Sequence, residues 1–166
     1  MRSRFLPEGR LLHTPENEAA CASRDGLRRA MEEETVLEGV AQLCDGAHNL
    51  LVSVGPFTGF LPREEAALGI AEGTTREIAI LSRVGKPVCF QITALEESEG
   101  VLRPRLSRRR AQQAALDAML AGLHPGCILP AVVTHLESFG AFVDIGCGVP
   151  SLIGIENISV SRIPHP

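Results

Sequence analysis

The chain has 166 residues, 45% of them apolar and 22% charged, with a formal net charge of −4. These values allow one ordinary domain or two small ones with a folded core, and the acidic balance argues against holding nucleic acid by bulk charge. No apolar run approaches the roughly 18 residues that span a bilayer, and no apolar stretch follows the basic N-terminus MRSRFLPEGR, so neither a membrane partner nor a secretory signal is expected.

In chain order, residues 1–13 lack periodicity and read as an extended arm. Thr14 is an expected N-cap with Pro15 behind it, opening a helix that Gly26 interrupts and that continues through GLRRAMEEE. From Thr35 the period becomes strand-like. TVLEGVAQLC, NLLVSVG and FTGFLP are short, rich in Val and Leu, and separated by Asp-Gly and Gly-Pro turns. Thr74 and Glu77 have capping-box spacing before a short helix ending near Gly85. KPVCFQITAL and VLRPRLS then add a fourth and fifth strand. Five strands, all expected antiparallel, with a helical insertion after the third give the five-stranded Greek-key barrel of the OB type. Ser107 caps a strong helix, RRRAQQAALDAMLAG, and GCILPAVVTHL, SFGAFVDIG and PSLIGIE return to strand spacing.

The second strand set repeats the first. Shifted by 91, residues 126–146 lie on 35–55 without a gap, and Val143-Asp144-Ile145-Gly146 falls on Val52-Ser53-Val54-Gly55. One extra residue then places Leu152-Ile153 on Phe60-Leu61. The expected organisation is an N-terminal arm and helices over 1–34, a degenerate barrel over 35–107, a helical linker over 108–124, and a second barrel over 125–166. That second barrel stops after three strands, so it is expected to be truncated and to leave two unpaired edges.

Few residues suggest chemistry. The five cysteines, Cys21, Cys44, Cys89, Cys127 and Cys147, show no C-x-x-C spacing, and the five histidines are dispersed. Reduced thiols in a cytoplasmic protein are therefore expected, without a zinc site, disulfide framework or cofactor. Glu64 and Glu65 are adjacent and read as a solvated turn rather than an acid–base pair. No nucleophile triad, phosphate loop or dinucleotide motif occurs, so no enzyme is expected. Two aromatics stand out in a chain with six Phe, no Trp and no Tyr: Phe139 and Phe142. Strand alternation puts Phe142 and Asp144 on one face and Ala141, Val143 and Ile145 on the other. The two rings can form either a base-stacking platform or plain packing against the barrel end and linker helix. His135 could line the same groove or be an ordinary surface residue. Arg162 and His165, expected in a helical turn after the third strand, could meet phosphate or be solvated. The basic run at residues 103–110 is open to the same two readings.

Residues 132–166, with FGAFVD at 139–144, Ile158-Ser159, Arg162-Ile163 and His165-Pro166, resemble the first half of an S1 RNA-binding domain, an OB-fold module. TGFLPREE in the earlier copy is similar to S1-type domains more weakly, since His48 and Leu51 stand where the two Phe would be. Gly154 stands where many such domains have a nucleic-acid-contacting His. The resemblance implies single-stranded RNA as partner, gripped by stacking and phosphate contacts through Phe139, Phe142, His135, Arg162 and His165, in translation or RNA turnover. The other reading is a protein-interaction module docking on a ribosomal or RNA-processing partner.

Overall fold

The computed structural model describes residues 5–166. Helix α1 (Pro15–Cys21) opens where the cap residues demand: the Thr14 hydroxyl accepts from the Asn17 amide, and Pro15 needs no N–H partner in the first turn. The break expected at Gly26 occurs instead at residues 22–23. Ser23 caps helix α2 (Arg24–Glu32), accepting from the Gly26 amide at 3.1 Å. Gly26 lies inside α2 because the two helices touch there: a Cβ would stand 2.5 Å from the Ala20 carbonyl oxygen.

Strands β1 (Leu37–Cys44), β2 (Leu50–Val54), β3 (Phe57–Leu61), β4 (Pro87–Ser98) and β5 (Val101–Ser107) close into a barrel in the order β1-β2-β3-β5-β4. This is the expected Greek-key barrel of the OB type. The expectation that every pair is antiparallel fails at one seam, where β3 and β5 run parallel at Phe60 and Arg105. Parity requires it: a closed ring with an odd number of strands cannot alternate direction all the way round. Inward alternate residues fill the barrel, among them Leu37, Ala41, Leu50, Val52, Leu61, Phe90 and Leu106, and Leu27 and Ala30 of α2 join the same cluster. The helical insertion is shorter than its sequence suggests, only α3 (Ile78–Leu81), whose Ile80 is buried. There is no capping box. The Thr74 and Thr75 hydroxyls turn back to the carbonyls of Gly69 and Leu68, and Glu77 accepts from Arg63 Nε at 2.7 Å.

The segment from residue 5 to residue 13 is built of turns rather than extended chain, and residues 1–4 of the expected arm lie outside the described residues. Glu38 of β1 fastens it. Its Oε2 accepts from the amides of Gly9, Leu11 and Leu12 at 2.9–3.1 Å. Asn17 brackets the same residue, donating from Nδ2 to the Glu38 carbonyl at 3.0 Å and accepting the Glu38 amide at 2.8 Å. Burial outweighs those three N–H donors and pushes the Glu38 carboxyl up to about 7 from 4.5. Between those values the folded state holds a proton that the unfolded chain has lost, so stability falls as pH rises across that interval. Burial also raises Asp144, with the same sign. Burial alone would raise Glu8 too, but Arg108, Arg83 and the Cys89 amide outweigh it and hold it low, so its contribution is lost only on acidification below its ordinary value of 4.5. The melting temperature should therefore peak on the acid side of neutrality. Glu38→Gln should flatten the fall between pH 4.5 and 7 in a series of thermal melts.

Helix α4 (Arg108–Gly122) starts where the Ser107 hydroxyl accepts the Arg110 amide. Ala111, Ala115 and Met119, four apart on one face, pack with Cys89 of β4 and with Cys147 and Val149 beyond the barrel. Strands β6 (Val132–Glu137), β7 (Gly140–Asp144) and β8 (Pro150–Gly154) form a separate antiparallel sheet in sequence order. A polar junction joins it to the rest. The Arg108 guanidinium forks onto Glu8, Nε to Oε1 at 2.6 Å and Nη2 to Oε2 at 2.9 Å, while Nη1 donates to the Ala66 carbonyl. Gln112 spans the gap, accepting from the Leu68 amide at 2.9 Å and donating to the Gly148 carbonyl at 3.2 Å.

Candidate nucleic-acid interface

Strand β7 is the middle of the second sheet, so each of its residues has a neighbour on both sides. Phe142 stands opposite His135 on β6 and Leu152 on β8. Phe139 occupies the turn between β6 and β7, and the Ile155 amide donates to its carbonyl at 2.9 Å. Gly140 follows because a Cβ there would run into the Ile153 carbonyl oxygen of the paired strand. This close turn swings the Phe139 ring edge-on to Phe142, with centroids 6.1 Å apart and planes at 85°. The His135 ring lies beside Phe142 at 6.3 Å, tilted by 30°. Phe139 is 54% exposed, His135 is exposed and Phe142 is half-buried. Three rings thus share one outward face, while Ala141 and Val143 are buried on the other.

The same face is not open along its whole length. Asp144, expected to lie outward beside Phe142, is buried at 5% exposure. The turn-rich segment before α1 covers it: Asp144 Oδ2 accepts from the Glu8 amide at 2.8 Å, and Oδ1 accepts from the Gly146 and Gly148 amides. Alternation is local and cannot register a covering segment from 136 positions away.

The remaining candidates divide. Arg162 is exposed and lines a cavity of about 750 Å³ with Ser138, Ile155 and Ser159, next to the turn that carries Phe139. His165 is exposed and its Nδ1 lies 3.1 Å from the Pro166 carbonyl oxygen, not among the rings. Neither sits in the expected helical turn. The turn is at Ile155–Asn157, and residues 158–166 are irregular. The basic run at 103–110 is largely committed elsewhere: Arg108 is buried on Glu8, Arg109 pairs with Glu72 at 2.7 Å, and Arg105 pairs with Glu96 at 3.2 Å. Glu65 is no simple solvated turn residue either, since it accepts the Ser107 hydroxyl.

One pair escaped the sequence reading. Phe60 of β3 carries the Arg105 guanidinium over its ring, 5.6 Å from the centroid, and pairs with Leu51 of β2. The signal was present in the repeat, where Phe60 falls on Leu152, the neighbour of Phe142. Among the described residues no cluster of His, Cys, Asp and Glu could hold a metal ion, and no helix is long and apolar enough to cross a membrane.

No family model matches the chain. Small ribosomal subunit protein bS1 of Neisseria meningitidis is 27% identical over 146 residues, covering 84% of this chain and 24% of the relative. The bS1 of Mycobacterium tuberculosis is 28% identical over 164 residues, covering 96% of this chain and 32% of the relative. The chain thus spans between a quarter and a third of the length of these curated relatives. The solution structure of GSP13 from Bacillus subtilis aligns at TM-score 0.35 and 19% identity, covering 58% of this chain and 64% of that one. The chain is S1-like, a mainly β protein with an OB-type barrel, similar in sequence to ribosomal protein bS1 over nearly its whole length.

Proposed function

We propose that the chain is a non-catalytic binder of single-stranded RNA that stacks bases on Phe139, Phe142 and His135. The observation that carries this reading is the contiguous outward face of three rings on the second sheet. Bases present flat π-faces whatever their identity, so such a face grips an unpaired strand with little sequence preference, at roughly 1–3 kcal/mol per stacked base. Base pairs in a duplex hide those faces, and that separates the two substrates. Arg162 and His165 supply positive or proton-donating groups for phosphate. Similarity to bS1 supports a place at the ribosome in the cytoplasm.

A second reading, docking of the first barrel on a protein partner, is favoured by Ile78, Leu81 and Val84, apolar residues exposed in and just after α3. One titration separates the readings: the chain against a single-stranded RNA and its duplex at two salt concentrations. Tighter single-strand binding with a shallow salt slope is the expected result. Absence of binding at low salt, or a preference for duplex, would overturn the RNA reading.

A further inference from the structure

Two of the five thiols meet at the junction between barrel and second sheet. Cys89, on β4, and Cys147, in the turn between β7 and β8, are 0% and 1% exposed and belong to one small cluster under Ala111, Ala115 and Met119 of α4. They are 58 positions apart in sequence, yet both lie in the same six-residue buried cluster. Cys147 also holds a backbone conformation that a side chain resists. Its φ is +52°, between Gly146 at +152° and Gly148 at +73°, in a turn where Gly or Asn would be the ordinary choice. Its amide donates to the Leu6 carbonyl at 2.9 Å. A cavity of about 540 Å³ reaches it, walled in part by Phe5, Leu6, Val36, Gln91 and Ala114.

We propose that Cys89 and Cys147 form a redox-closable disulfide that pins the second sheet to the barrel. Cys147 lines the cavity and Cys89 does not, so Cys89 is the resolving partner; burial also holds the Cys89 thiol well above its ordinary range. Cys147, on the cavity wall, reacts first. It gives its proton to water, and its thiolate attacks one sulfur of a low-molecular-weight disulfide. The S–S bond breaks and the other half leaves as a thiol after taking a proton. Cys89 then loses its proton and attacks Cys147 Sγ, forming the protein disulfide and expelling the second half as a thiol. The protein gives up two electrons and two protons, and the small disulfide becomes two thiols. Oxidation would then fix the position of the ring-bearing sheet, and reduction would return it to non-covalent contacts alone.

The test uses the full chain with 2-hydroxyethyl disulfide, acid quenching, digestion without reduction and mass spectrometry. The expected product is a Cys89–Cys147 linked peptide with two hydrogens lost and three of the five thiols still titratable. Dithiothreitol should reverse it. The linkage should vanish in Cys89→Ala and in Cys147→Gly, the second of which suits the turn's positive φ. The same reaction is run in urea below the unfolding transition, where the junction opens transiently while far-UV circular dichroism stays native. A Cys89 linkage to any other cysteine overturns the proposal. So does absence of the linked peptide under both conditions while the partly exposed Cys44 and Cys127 take up the reagent.

Discussion

Replacing Phe139 by Ala is expected to weaken binding of single-stranded RNA by about 1–3 kcal/mol, roughly 5- to 150-fold in Kd, while changing folding stability by no more than about 0.5 kcal/mol. The two quantities separate because of where the ring sits. Phe139 stands in a turn with more than half its surface in water, so removing it opens no core cavity. It does remove one wall of the stack and frees an edge of Phe142. Phe142→Ala should behave differently, losing affinity and stability together, because its ring is half-buried and touches both Phe139 and His135. Anisotropy of a labelled oligonucleotide and urea denaturation, run on both variants, give the four numbers needed. If Phe139→Ala lost several kcal/mol of stability and left affinity unchanged, the ring would be packing and nothing more.

Arg108→Met is expected to cost about 3–5 kcal/mol of stability, because it strips the buried Glu8 carboxylate of its two-bond partner. The pair is well inside the protein, with side chains 7% and 4% exposed, and the fork uses both carboxylate oxygens. Arg83 lies 3.6 Å from the same carboxylate and does not replace a two-bond fork. Combining Arg108→Met with Glu8→Gln should recover a large part of the loss, since the residual cost is then that of neutral polar groups. A double-mutant cycle in urea measures the coupling directly. An Arg108→Met variant within 1 kcal/mol of the parent would mean that the junction is wet and the pair contributes little.

Much of the fold was legible because it is written in local periods. Alternation located four of the barrel strands to within two residues and missed the last three residues of β4, and Thr14 and Ser107 marked two helix starts by their side-chain chemistry. The rings were legible because Phe is scarce in this chain and because a Gly next to a turn permits the close approach that joins Phe139 to Phe142. What could not be read depends on contacts made far along the chain. Asp144 looked outward until Glu8 covered it, and Arg108 looked like surface charge until Glu8 came to meet it. Thr74 and Glu77 had the spacing of a cap, yet nearby carbonyls and Arg63 offered better partners. The parallel seam is invisible strand by strand, being a property of the closed ring.

The fastening of residues 5–13 bears on the order in which the chain assembles during its synthesis. Glu8 is made before its partners Cys89, Arg108 and Asp144, which follow 81, 100 and 136 positions later. The barrel's own partners are all present once Ser107 has emerged, and Arg108 follows as the next residue, but Asp144 is still 37 positions away. Residues 5–13, made before the barrel, therefore gain their full set of contacts only after it. Until Asp144 arrives, the Glu8 amide must bond to water, so the contact between this segment and the second sheet is made only after the barrel's strands have paired.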